Sequence, residues 1–130
     1  MSHFLVDTSV WIDFLRGSSA VVARVDPLLA KGQGAICGPI YAEVLSGART
    51  RYIQHRLRNL FQALRWLPEP LHVWDRVAEV RFNLARLGHQ ASLPDVMIAL
   101  TAAESVCALL TRDRDFERIR SVLPLDLVVF

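Results

Sequence analysis

Apolar residues along this chain fall into two alternating patterns: short continuous runs, and stripes spaced three and four apart. Phe4, Leu5 and Val6 form the first run and read as the end of a buried strand. A short helix through Trp11, Ile12 and Leu15 follows and stops at "RGSS"; Ser18 or Ser19 then caps a second helix carrying Val21, Val22, Val25, Leu28 and Leu29. After the turn "KGQG", residues 35–37 make a second strand, and Gly38-Pro39 launches a helix with Ile40, Val44 and Leu45 that breaks near Gly47. Ile53, Leu57, Leu60, Phe61 and Leu64 share one helical face, with Arg51, Arg56 and Arg58 off the stripe. Residues 64–67 give a short third strand before "PEP". Val73, Val77, Val80, Leu84 and Leu87 form a second stripe ending at Gly88. "SLPD" opens another helix whose interior, "VMIALTAAE", is apolar nearly all round, as expected of a helix packed on both sides. A fourth strand at 108–110, a short helix in "RDRDFERIRSVL" and a last strand at 125–130 complete the pattern.

Short apolar strands separated by helices predict an α/β fold with a parallel sheet covered on both faces. The 130 residues, with no repeat, linker or low-complexity tract, suit one domain spanning 1–130. At 52% hydrophobic the chain has enough apolar surface for its own core. No apolar run reaches the length of a membrane span, and the N-terminus has no signal-peptide pattern, so a cytoplasmic protein is expected. Cys37 and Cys107 are isolated in apolar segments and read as reduced core thiols. His3, His55, His72 and His89 are scattered and take no metal role.

Net charge is only +2, but of 15 basic residues Lys31 alone is a lysine. Arginine suits bidentate phosphate contacts; a coding sequence rich in G and C produces the same bias.

Four acids stand where strands end or apolar helices begin. Asp7 follows the first strand, Glu43 lies in the first turns of the helix after the second, Asp95 starts the buried helix, and Asp113 follows the fourth strand. Ligands of open α/β sheets bind beyond the carboxyl ends of the strands, where strand order reverses. If the first and fourth strands are neighbours, these acids face one crevice. Each also has an ordinary reading: Asp7 and Asp113 as helix caps, Asp95 as the acid of a Ser92 capping box, Glu43 as a surface partner of Arg49. Two carboxylates about 4 Å apart repel by about 4 kcal/mol at an effective dielectric near 20. A convergent quartet therefore calls for a cation, and an all-oxygen donor set points to Mg²⁺ or Mn²⁺. Such ions support hydrolysis of phosphodiesters. Thr8, Ser9 and Thr111 are hydroxyls beside the acids, able to orient them or simply to cap and turn the chain.

"LVDTSVWIDFLRG", "GPIYAEVLSGA" and "SLPDVMIALTAAESVCALLTRDRDF", in this order and followed by a terminal strand, resemble a PIN domain, specifically the toxin half of a VapBC-type toxin–antitoxin pair. The resemblance covers nearly the whole chain. It implies a three-layer α/β/α sandwich with a five-stranded parallel sheet, and a Mg²⁺- or Mn²⁺-dependent endoribonuclease with tRNA or rRNA as substrate. Asp7, Glu43, Asp95 and Asp113 match the family's acidic quartet, Thr8 or Ser9 the hydroxyl after the first acid, and Thr111 the threonine before the last. Asp115 is then a supporting or capping residue and Phe116 a core anchor. A homodimer and a VapB-type antitoxin that neutralises the acids are the implied partners. Arg112 and Arg114 flank Asp113 and are the best placed to hold RNA phosphates, ahead of Arg49, Arg51, Arg56 and Arg58. Trp11, Trp66 and Trp74 are of a type that stacks bases, but they sit among apolar neighbours and read first as core or interface residues.

Other aspartate-based α/β folds fit less well. A haloacid-dehalogenase-type phosphatase needs an acid where Ser9 stands, a receiver domain needs a late lysine, and a Rossmann domain needs a glycine-rich turn where "DTSVW" stands. The remaining alternatives are a PIN-like module that binds RNA or protein without cutting, and a structure-specific DNA nuclease.

Overall fold

Leu5 and Val6 have no solvent exposure because their strand runs through the middle of the sheet. The computed structural model describes residues 2–130. In chain order it contains β1 (Phe4–Val6), α1 (Thr8–Leu15), α2 (Ser19–Ala30), β2 (Gly34–Ile36), α3 (Gly38–Ser46), α4 (Arg51–Gln62), β3 (Arg65–Trp66), α5 (Val73–Arg86), α6 (Leu93–Glu104), β4 (Ala108–Thr111), α7 (Phe116–Arg120) and β5 (Leu127–Val129). The strands form one parallel sheet in the order β3-β2-β1-β4-β5.

The chain steps from β1 to β2 to β3 in one direction, then crosses to β4 and β5 in the other. Right-handed crossovers then place α1–α4 on one face and α5–α7 on the opposite face. Helix packing follows that division, with α1 on α2 and α3, α3 on α4, and α5, α6 and α7 on one another; α3 and α6 also meet across it. The result is an α/β/α sandwich. Reversal of direction falls between β1 and β4, which pair with Val6 opposite Leu110.

Local chemistry explains the elements. Pro39 and Pro94 occupy first-turn positions of α3 and α6, where a missing N–H costs nothing. Thr50 and Ser92 accept N-cap hydrogen bonds from Ile53 and Asp95. In β2, a Cβ on Gly34 would lie 2.9 Å from Leu64, so glycine lets β2 pass under the end of α4. Helix α6 buries Val96, Ile98, Ala99, Leu100, Thr101 and Ala102 and packs on α3, α5, α7 and β4, as its all-round apolar pattern requires. Phe116 anchors α7 in the core. Cys37 and Cys107 are buried free thiols.

Some expectations fail at element ends. Trp11 is fully buried, but Trp66 is 54% and Trp74 61% exposed. Both have apolar sequence neighbours, yet Trp66 lies on a two-residue edge strand and Trp74 on the outward side of the first turn of α5. Neither is core. Ile53 and Leu87 also leave their stripes for solvent, at the start of α4 and just past the end of α5. Among the described residues no helix is long and apolar enough to cross a membrane.

Candidate active site

Asp7 is the first residue beyond β1, and its N–H still donates to Leu110 of β4 at 2.9 Å. The ladder thus fixes its backbone, while its carboxylate reaches past the carboxyl edge of the sheet. It occupies the N-cap position of α1 but makes no side-chain cap hydrogen bond. Instead the hydroxyls of Ser9 and Thr111 donate to its Oδ2 at 2.8 and 2.9 Å. Both bonds fall on one oxygen, so Oδ1 is the one left for a ligand. Asp7 is 5% exposed and Thr111 0%. A buried carboxylate survives only with such partners.

Thr111, the last residue of β4, also accepts from the Asp113 N–H at 3.0 Å, and Ser9 accepts from the Arg112 N–H at 3.2 Å. The two hydroxyls lie 3.4 Å apart. Together they tie the start of α1 to the turn after β4. In that turn Asp113 Oδ1 accepts from the Asp115 N–H at 2.9 Å. Asp113 therefore closes a turn rather than capping α7; Asp115 holds the N-cap position, without a side-chain cap bond. The Asp115 carboxylate lies 4.0 Å from Arg118 and makes no hydrogen bond to the other acids among the described residues.

Helices carry the other two acids. Glu43, on α3, is exposed and accepts from the Thr8 hydroxyl at 3.3 Å. It has no ion pair with Arg49 among the described residues. Asp95, in the first turn of α6, donates its backbone N–H to Ser92, giving half of the expected capping box.

Asp95 feels the charges of the other three acids. Burial pushes the Asp95 carboxyl above its ordinary range; Ser92 pulls it down, and the charges of Asp7, Asp113 and Glu43 push it up again. The Cys37 thiol, at the end of β2, is pushed up to about 12, first by burial and further by Asp7 and Glu43. It is therefore a neutral wall of the crevice. Carboxylates whose charges push up a neighbouring carboxyl, as at Asp95, attract a cation, and an all-oxygen set suits a hard one. No three acidic, histidine or cysteine groups among the described residues already form a metal cage. The donor chemistry fits a divalent ion; the acids stand open around its place.

The arginines are placed less directly. Arg112 lies 3.6 Å from Asp13 and stacks over the Phe130 ring at 4.9 Å, on the flank of the crevice. Arg114 is exposed, 3.9 Å from Glu117. Sequence reasoning missed a groove of about 460 Å³ between α1, α3 and α4, where exposed Ile12, Leu15 and Ile53 lead to Glu43 beside Arg16 and Arg49. Its signal was the start of the α4 stripe, which continues beyond the core.

Comparison with known proteins places the chain. A PIN domain profile matches residues 4–122. Ribonuclease VapC21 of Mycobacterium tuberculosis is 34% identical over 107 residues, 79% of this chain and 77% of that one. Ribonuclease VapC11 of the same organism is 30% identical over 131 aligned positions, 97% and 98% of the two chains. Among solved structures, VapBC2 from Rickettsia felis, bound to a promoter DNA fragment, superposes with a TM-score of 0.78 at 18% identity over 97% of each chain. A toxin–antitoxin complex from Klebsiella pneumoniae gives 0.70 at 25% identity, covering 96% and 95%.

Proposed function

The chain belongs to the PIN-domain family, and from that membership we propose that it is a metal-dependent endoribonuclease toxin held in check by an antitoxin. The observation that carries the reading is Asp7: a buried carboxylate with two hydroxyl donors on Oδ2 and Oδ1 left open, at the strand-order reversal, within electrostatic reach of Asp95. Asp7, Glu43, Asp95 and Asp113 would hold Mg²⁺ or Mn²⁺. Such an ion, when bound, supplies a Lewis acid for the phosphate oxygens and an activated water. The protein's own part is orientation. Ser9 and Thr111 fix Asp7, and Thr111 with the Asp115 N–H fixes the turn carrying Asp113. Arg112 and Arg114 flank the turn and take RNA phosphates on either side of the cut. Transfer RNA and ribosomal RNA loops are the proposed substrates, in the cytoplasm, where thiols such as Cys37 and Cys107 stay reduced.

The relatives solved as toxin–antitoxin complexes support a VapB-type partner. A partner segment lying in the apolar groove would end at Glu43, where a basic side chain meets the acids. Homodimerisation would cover the exposed apolar positions of α5, Trp74 among them.

RNA cleavage by antitoxin-free protein in Mg²⁺, Mn²⁺ and EDTA, with Asp7→Asn alongside, tests this reading. Cleavage is expected with either metal and not with EDTA or Asp7→Asn. A variant that cuts at the wild-type rate would sink the assignment of Asp7. The open arrangement of the acids favours one second reading, a module that binds RNA without cutting. Calorimetry with Mn²⁺ separates the two, since only the nuclease needs the ion.

A further inference from the structure

A second, smaller crevice opens at the same carboxyl edge of the sheet, beside the acids. It measures about 190 Å³ and lies between the start of α3, the end of β3 and α6, with Pro39, Trp66, Glu69, Met97 and the Cys37 thiol among its walls. It is below the 300–1,000 Å³ typical of sites for whole small molecules, so it suits a fragment. It is joined to the acids through the fold: Gly38 and Pro39 in its wall open the helix that carries Glu43.

Trp66 is the conspicuous wall. More than half of it is exposed, on an edge strand where a polar residue would cost nothing. Its orientation is nonetheless set. Tyr41 packs against it in a T-shaped pair at 5.7 Å and 76°, and the Tyr41 hydroxyl is in turn held by Arg58 at 3.2 Å. A ring held by such a contact and still 54% exposed can serve as a stacking platform. The opposite walls are apolar, the Thr101 hydroxyl is spent on the Met97 carbonyl at 2.7 Å, and Glu69 is the only charged group in the lining. Glu69 is exposed and has no ion-pair partner among the described residues.

We propose that this crevice is a base subsite for the RNA substrate, in which one unpaired base stacks on Trp66 and presents its hydrogen-bonding edge to Glu69. The inference rests on the ribonuclease reading and adds sequence preference to it. A carboxylate offers only acceptors. Guanine carries two adjacent donors, N1–H and the 2-amino group, that match its two oxygens; cytosine and adenine offer one amino group, and uracil one imino N–H. The subsite therefore selects guanine at one fixed distance from the cut. Only the uncharged base enters, while its phosphate stays outside in solvent, so the nearby acids do not repel it.

The test is digestion of single-stranded RNA with randomised sequence by wild type, Trp66→Ala, Trp66→Phe and Glu69→Ala, with the cut ends mapped and KM and kcat measured separately. Wild type is expected to show guanine enriched at one position. Trp66→Ala should raise KM about tenfold with kcat little changed and flatten that position, as loss of one stacked base requires. Trp66→Phe should recover most of the KM, and Glu69→Ala should keep the position occupied but lose the preference for guanine. Glu69→Ala and Trp66→Phe should melt as wild type does, and Trp66→Ala, which loses the Tyr41 contact, slightly lower while remaining folded at assay temperature. Unchanged KM and enrichment in Trp66→Ala and Glu69→Ala would overturn the subsite and leave the nuclease standing. So would a Trp66→Ala protein that cuts normally but no longer binds its antitoxin, which would make the crevice a protein contact. A wild-type protein that cuts no RNA with any metal overturns both readings together.

Discussion

The two acids that follow strands and the two carried by helices are held in different ways. Asp7 is buried, its backbone is locked into the β1–β4 ladder, and two hydroxyls grip one carboxylate oxygen. Asp113 sits in a turn closed by two further hydrogen bonds. Glu43 is exposed with one long contact to Thr8, and Asp95 has Ser92 as its hydrogen-bond partner. The strand ends supply the fixed half of the site and the helices α3 and α6 supply the adjustable half. A crevice that must admit an ion, bind a polyanion and release product needs both: one side to define geometry, the other to follow the charge.

The largest expected effect comes from breaking the fixed half. Thr111→Val keeps the volume but removes the donor to Asp7 and the acceptor for the Asp113 N–H. Activity should fall about 10- to 100-fold, as for lost supports of metal ligands, and the metal concentration for half-maximal rate should rise. Thr111→Ser should restore both. A valine variant with normal metal dependence would mean that the hydroxyl only stabilises the fold.

On the adjustable side the expected effect is on stability and its sign is opposite. The Asp95 carboxyl is raised in the folded state, so its charge disfavours folding at neutral pH. That penalty is relieved as pH falls through the raised value towards the ordinary 3.8. Asp95→Asn should therefore melt higher than wild type at pH 7 without metal, and the difference should vanish near pH 4. A lower melting temperature at pH 7 would show that the acids do not repel one another. Smallest of all is Thr8→Ala. Its bond to Glu43 is long and exposed, so cleavage should change by about twofold at most.

Much of the fold was legible. Short apolar runs bounded by "KGQG", "GP", "PEP" and "SLPD" placed the strands and helices to within a residue or two, because burial on both faces leaves a strand no polar position. The all-round apolar pattern of 93–104 likewise gave a helix packed on both sides. Family resemblance placed the four acids, but their support was not readable. Hydroxyl direction depends on which rotamer the folded backbone allows, so nothing in "DTS" says that Ser9 rather than Thr8 binds Asp7. Between core and interface, the two roles expected of the tryptophans, the sequence could not choose for a similar reason. In an edge strand or a first helical turn, apolar neighbours in sequence do not say which face is covered, and Trp66 and Trp74 point outward. The ordinary alternative for Asp113, a helix cap, does not hold: the cap position falls two residues later, after a turn that Asp113 itself closes.

The hydroxyl that seats Asp7 comes from a residue 104 positions later in the chain. A ribosome adding about 5–20 residues per second makes Asp7 roughly 5–20 s before Thr111 exists. Until then the carboxylate has no ladder partner in β4 and no second donor. For a protein proposed to destroy RNA, that order of synthesis is a safeguard: the machine that makes it meets only an incomplete site for most of translation, and the cutting geometry closes last.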